Sequence, residues 1–197
     1  MGPYKYKFGR VFRSMISASK PFANVLDIAC ADAKFRSYFG TTSYTGVDIS
    51  KEKLISLKAL TNSKSFESTK LLEGDLANPN GLIVDHKFDL VVSTHTMKHI
   101  DGISDKQVAS RNLINSINDN GYLIIQLTNS CLKIVKPILD NSLKLEKHVS
   151  YKGAISDILE KNFSGNFHMS FMGRLINLIF SYIDLGKTSD NLLLYKK

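Results

Sequence analysis

Three carboxylates and three histidines stand where their types and spacing could do chemistry. Asp27 stands near the end of the apolar run Val25-Leu26-Asp27-Ile28, and Asp48 closes Tyr44-Thr45-Gly46-Val47-Asp48. Asp75 follows a third run in Glu73-Gly74-Asp75-Leu76. Between the first two lies Ala29-Cys30-Ala31-Asp32-Ala33, a loop of small residues that lets backbone amides approach a ligand. A carboxylate about 20 positions beyond the start of such a unit can accept hydrogen bonds from both hydroxyls of a ribose. His95 and His99 come just after the run Phe88 to Ser93, and His148 lies farther along. Imidazole titrates near neutrality and suits a general base. The spacing His95-x-x-x-His99 also suggests a metal pair. It lacks the glutamate of the zinc-protease motif and any obvious third ligand, so no metal is expected.

The elements that must hold these groups can be traced along the chain. Phe8, Val11, Phe12, Met15 and Ile16 recur at helical spacing, which predicts an amphipathic helix over 4–19, stopped by Pro21. Strands are expected at 24–29, 44–48, 69–73, 88–93 and 122–127. The first is apolar on both faces, as a central parallel strand must be. Helices are expected at 32–39, closed by Gly40, and from Lys51 to about Leu60, capped by Ser50. Another opens at a capping box, Ser104-Asp105-Lys106-Gln107, and runs to about Asn118. Strands alternating with helices imply right-handed crossovers and a doubly wound, mostly parallel sheet with helices on both faces. Beyond it, 128–150 reads as irregular or weakly helical. Helices at 153–161 and 174–184, a strand at 166–171 and a last strand at 191–195 complete the pattern.

Composition narrows the class. A chain of 197 residues with 43% hydrophobic content suits one domain with a substantial core. The start is polar and basic rather than signal-like, and the longest apolar-rich stretch, 175–185, is far short of a membrane span. Two cysteines, Cys30 and Cys131, without metal spacing fit a reduced, cytoplasmic protein. The net charge of +8 is mostly lysine and reads as a solvated basic face rather than a nucleic-acid footprint.

In order and spacing, VLDIACADAKF, YTGVDIS, EGDL, FDLVVSTHTMKHI and NDNGYLIIQL resemble the class I S-adenosylmethionine-dependent methyltransferases over roughly 22–127. The resemblance implies a seven-stranded Rossmann-like sheet with its last strand antiparallel. It implies one domain, with helix 1–20 over the cofactor site, a cofactor-binding core at 22–127 and an acceptor-side tail at 128–197. S-adenosylmethionine would be the cofactor. Asp27 would position its amino group, and the loop through Ala29 and Ala31 would pass under its methionine part. Asp48 would bind the ribose with Ile49 packed on the adenine, whose edge Asp75 and the Leu76 amide would recognise. Ser93 would present its carbonyl near the ammonium or the transferring methyl. Arg10 on the opening helix would meet the carboxylate. His95, His99 and His148 are the candidate bases. The family usually carries glycine where Ala29, Ala31 and Ala33 stand here. Any of the three that needs a left-handed backbone would cost on the order of 1 kcal/mol.

The expected reaction is in-line methyl transfer to a hydroxyl of a sugar or small-molecule acceptor, in glycan biosynthesis. The sugar choice rests on fold-level analogy. Methylation of RNA or a protein side chain is the alternative that the basic charge favours, although no Asn-Pro-Pro-Tyr follows the fourth strand. A catalytically inactive scaffold that has lost its loop glycines is the third.

Overall fold

A computed structural model describes residues 3–19, 22–40, 43–61, 69–82, 84–152 and 188–197. The chain opens with helix α1 (Pro3–Ser19) and continues through strand β1 (Asn24–Ile28), helix α2 (Arg36–Phe39) and strand β2 (Ser43–Asp48). Helix α3 (Lys51–Thr61), strands β3 (Thr69–Glu73) and β4 (Phe88–Ser93) and a single 3-10 turn (Met97–His99) follow. Helix α4 (Ile103–Asn115), strand β5 (Ile117–Thr128), helix α5 (Asn129–Asp140) and strands β6 (Lys144–Lys152) and β7 (Thr188–Lys196) complete it.

The strands form one seven-stranded sheet in the order β3-β2-β1-β4-β5-β7-β6. All neighbouring pairs are parallel from β3 to β5, and β7 runs antiparallel between β5 and β6. Winding outward from β1 to β3 and then from β4 onward puts a switch point between β1 and β4, where open sheets of this kind leave a crevice at their carboxyl ends. Helices cover both faces. Phe8, Phe12, Met15 and Ile16 of α1, Phe39 of α2 and Leu54 and Leu57 of α3 pack on Val25, Tyr44, Leu90 and Val92. Ala109 and Leu113 of α4 and Cys131, Val135 and Leu139 of α5 pack on Leu26, Val91, Leu123 and Ile125. Strand alternation explains the division: Leu26 and Val91 face one layer, Val25, Leu90 and Val92 the other.

Several expected elements differ. The helix expected at 32–39 is confined to Arg36–Phe39, because Ala33 has a φ of 49° and cannot start a right-handed turn. Gly40 does close it, at φ 60°. The capping box does not form: α4 is capped by Gly102, and Ser104 lies inside the helix. The Lys106 ammonium instead binds the Ile100 carbonyl near the helix start. Strand β5 begins five residues early, with a register shift opposite Phe88/Leu90 and Asn120 at φ 67°. The segment read as irregular holds α5 and β6. Pro137 inside α5 is a breaker signal, yet Cys131, Val135 and Leu139 share one buried face, and Thr128 Oγ1 accepts the Cys131 amide at 3.3 Å. The sixth strand is therefore at 144–152. The expected elements at 153–161, 166–171 and 174–184 lie outside the described residues. Among the described residues, no helix is long and apolar enough to cross a membrane.

Two glycines should respond oppositely to alanine. At Gly121 a Cβ would stand 2.8 Å from Ile117 Cγ2 and 2.9 Å from the Phe88 carbonyl, so Gly121→Ala should lower stability by about 1–3 kcal/mol. At Gly9, inside α1, a Cβ meets nothing within 4 Å, and Gly9→Ala should raise stability by about 0.5–1 kcal/mol. Urea unfolding of the two variants measures both changes, and equal midpoints would contradict the packing at Gly121.

Candidate active site

The carboxyl ends of β1, β2 and β4 and the loop after β3 surround a cleft of about 460 Å³. It brings Asp27, Ala29, Ala31, Asp48, Ile49, Asp75, Leu76, His95 and His99 together. Cys30, Asp32, Lys34, Phe35, Lys53, Thr94, Thr96 and Ile100 also contribute to its wall. Of these, Lys34 and Thr94 carried a signal that sequence reasoning passed over: each is the next residue beyond a position already singled out.

Ala29, Ala31 and Ala33 all adopt left-handed backbones, with φ of 57°, 46° and 49°. The conformation expected to be strained with alanine is thus present three times in one loop, and surrounding structure must hold it. Asp48 does much of that. Its Oδ2 accepts the Ala31 amide and its Oδ1 the Ser50 amide, each at 2.9 Å. Further bonds run from the Cys30 amide to the Val47 carbonyl at 3.1 Å and from the Ala33 amide to the Cys30 carbonyl at 2.7 Å. Gly46 lets Cys30 settle on β2, since a Cβ there would stand 2.8 Å from its sulfur.

Asp27 is buried beneath the loop. The Tyr44 hydroxyl donates to its Oδ2 at 2.8 Å. Among the described residues none donates to its Oδ1. Burial pushes this carboxyl up to about 7, with the Tyr44 bond and Lys34 pulling the other way. Burial, helped by Asp27 and Asp48, also raises the Cys30 thiol to about 12, which makes it an unreactive packing group. Asp75 is exposed at the rim and accepts the Ala77 amide at 2.8 Å. Asn112 of α4 steadies that loop by donating to the Leu76 and Asn78 carbonyls, both at 2.8 Å. Ile49 is 68% exposed, an open apolar side chain on the cleft wall.

His95 follows β4 with φ 60°, a strained conformation for a non-glycine residue. Its ring lies 5.9 Å from that of Phe8 on α1. Burial, then Lys98 and Lys34, push it down to about 4, while Asp190 acts the other way. The ring is therefore neutral at pH 7. His99 is exposed on the 3-10 turn at the same cleft.

The remaining expected residues lie elsewhere. Ser93 is fully buried in β4 and does not line the cleft, which its neighbour Thr94 does. Arg10 is exposed on α1 and is also not on the cleft wall. His148 sits on β6 with Nε2 2.9 Å from Asn191 Oδ1, and Ser150 donates to the same oxygen at 2.7 Å.

This sheet order, with an antiparallel β7 and a cleft at the β1/β4 switch point, is that of the class I S-adenosylmethionine-dependent methyltransferases. Residues 19–166 match the methyltransferase-domain family, and the chain belongs to it. No curated protein matches the sequence. Among solved structures, the chain is similar to the N-methyltransferase NodS of Bradyrhizobium japonicum in complex with S-adenosylhomocysteine. Identity is 15%, with 96% of this chain and 87% of that chain covered and a TM-score of 0.67. A TehB-like methyltransferase of Corynebacterium glutamicum shows 15% identity, coverage of 98% and 96%, and a TM-score of 0.60. The O-methyltransferase domain of StiE shows 16% identity, coverage of 95% and 73%, and a TM-score of 0.63.

Two consequences can be measured on the free protein. Burial raises Asp27 above its ordinary value, so its contribution to stability is full below about pH 4 and is lost as pH rises toward 7. Relative to Asp27→Asn, wild type should lose on the order of 1.4 kcal/mol per pH unit across that window in urea unfolding. The opposing trend of His95 is common to both proteins and cancels; a pH-independent difference would contradict the burial of Asp27. Ala31→Gly removes a left-handed alanine and should raise the melting midpoint, by up to about 1 kcal/mol of stability. A lower midpoint would show the loop to be unstrained there.

Proposed function

We propose that the protein transfers a methyl group to a hydroxyl of a sugar or other small-molecule acceptor, consistent with a role in glycan biosynthesis. One observation carries the reading: Asp27, Asp48 and Asp75, from three separate strand ends, converge on one cleft that also holds His95. The donor set fits an adenosyl-methionine ligand. Asp48 keeps a free lone pair on each oxygen for ribose hydroxyls after accepting its two amides. The Asp27 Oδ1 is open to an ammonium, Ile49 offers an apolar surface for a flat base, and Asp75 with the Leu76 amide suits the base edge. S-adenosylmethionine, when bound, supplies an electrophilic methyl on sulfur.

The protein's own contribution is alignment and proton handling. The rigid loop and the three carboxylates orient the donor, and the cleft wall orients the acceptor. His95, neutral and unbonded by any described side chain, accepts the hydroxyl proton, with His99 beside it as the second candidate. His148 and Arg10 would reach the reaction only through elements beyond the cleft wall. The neighbours include both an N-methyltransferase and an O-methyltransferase domain, so the choice of oxygen rests on the histidines rather than on likeness.

Calorimetric titration with S-adenosylhomocysteine should show binding that Asp48→Ala weakens at least about tenfold. No heat and no thermal stabilisation by excess ligand would leave an inactive scaffold as the answer. With labelled cofactor and a panel of sugar and small hydroxyl acceptors, His95→Ala should slow transfer by about 10²–10⁴-fold. The acid limb of the rate profile should fall below the ordinary histidine range, as the depressed His95 value requires. Full turnover in both His95→Ala and His99→Ala would overturn the assignment of a base.

A further inference from the structure

The sheet around Asp27 offers its carboxyl nothing polar. Its register partners are Gly46 on β2 and Val92 on β4, and neither carries a hydrogen-bonding side chain. Asp27 is only 2% exposed, and a carboxyl buried without a partner is costly. The partner comes from two positions back along β2. Tyr44 lies opposite Val25, which shares a face of β1 with Asp27. At a rise of about 3.3 Å per residue, its side chain must cover about 7 Å along the strands to reach that carboxyl. It does so, and its hydroxyl donates to Asp27 Oδ2 at 2.8 Å.

Tyr44 is itself held in place. It is fully buried, and its ring stacks on Phe39 of α2 with centroids 6.1 Å apart and planes 23° apart. The Arg36 guanidinium carbon lies 5.3 Å from the same ring's centre. Burial, then Asp27, push the phenol's titration up, so the hydroxyl keeps its proton and donates. Lys34, Asp32 and Asp48 are the charged groups that also act on Asp27. Among the described residues, none of the three is hydrogen-bonded to it. Tyr44 does not line the cleft, whereas Asp27 does. The phenol can therefore influence a ligand only through the carboxyl that it holds.

We propose that Tyr44 is a positioning residue for the methyl donor: by fixing Asp27 Oδ2 it aims Oδ1 at the donor's ammonium, and so sets the preference for ligands that carry one. This rests on the methyltransferase reading and adds a residue to that same site. A carboxyl pinned by one oxygen has little rotational freedom left to lose when a cation binds the other. The donated bond also favours the ionised carboxylate against its burial, and the ionised form is the one that an ammonium needs.

The test is calorimetric titration of the whole protein with S-adenosylhomocysteine and with its deaminated analogue. The analogue keeps the adenosine, sulfur and carboxylate and lacks only the ammonium. Wild type should prefer S-adenosylhomocysteine by more than about thirtyfold, and Tyr44→Phe should cut that preference about tenfold. Affinity for the analogue should stay within about twofold. Asp27→Asn should lose the preference too, and adding Tyr44→Phe to it should cost nothing further. Equal weakening of both ligands in Tyr44→Phe would make the phenol merely structural and overturn the proposal. An unchanged preference in Tyr44→Phe or in Asp27→Asn overturns it as well, and so does a further loss in the double variant. Should Tyr44→Phe not fold, wild type labelled at the tyrosine ring carbon that bears the hydroxyl decides by nuclear magnetic resonance. The Tyr44 signal should shift with S-adenosylhomocysteine and not with the analogue, and equal responses overturn the proposal. Failure of S-adenosylhomocysteine itself to bind wild type would instead bring down the methyltransferase reading beneath it.

Discussion

The carboxylate of Asp48 is the tie on which the site depends. One oxygen holds the amide of Ala31 and the other that of Ser50, so a single side chain joins the loop after β1 to the loop after β2. Three left-handed alanines in the first loop oppose that arrangement by on the order of 1 kcal/mol each. They persist because the loop is over-determined: Asp48 grips its centre, Val47 accepts from Cys30, and Cys30 rests against the bare backbone of Gly46. A loop held this firmly presents its amides in a set geometry, which is the contribution a protein can make to an alignment-driven reaction.

Burial then sorts the ionisable groups around this loop. Asp27, under the loop and bonded to Tyr44, is driven toward its neutral form, whereas Asp75, at the rim, stands in water. His95 is driven neutral from the opposite direction, by burial and by two lysines. Similar desolvation thus favours a protonated acid on one wall of the cleft and an unprotonated base on the other, across the β1/β4 switch point. Opposed shifts of this kind accompany sites that move protons.

The sheet and its cleft were legible because their determinants are local. The runs 24–28, 43–48 and 88–93 are largely buried on both faces as central parallel strands, with Asp27, Asp48 and Ser93 at or next to their carboxyl ends. The spacing of Phe8, Phe12, Met15 and Ile16 likewise marked the buried face of α1. Where local signals competed with tertiary ones, the tertiary ones prevailed. Pro137 argued against a helix that the buried stripe Cys131-Val135-Leu139 stabilises, and Ser104 offered a cap that Gly102 and Lys106 replaced. β6, a lysine-rich strand, is recognisable only beside β7, whose buried Leu192 to Leu194 give it a partner.

The sequence by itself determined the fold class and the chain positions of Asp27, Asp48 and Asp75, because periodicity and strand-end placement follow from neighbouring residues; the cofactor class came with the resemblance of its motifs to the methyltransferases. Only the tertiary structure decided which groups share the cleft. It placed His95 there and His148 on the Asn191 network, and it chose Thr94 over Ser93 for the wall. It also brought Phe8 of α1 against both His95 and Phe35. These outcomes turn on sheet order, strand parity and the desolvation that packing imposes, none of which is a property of a residue and its immediate neighbours.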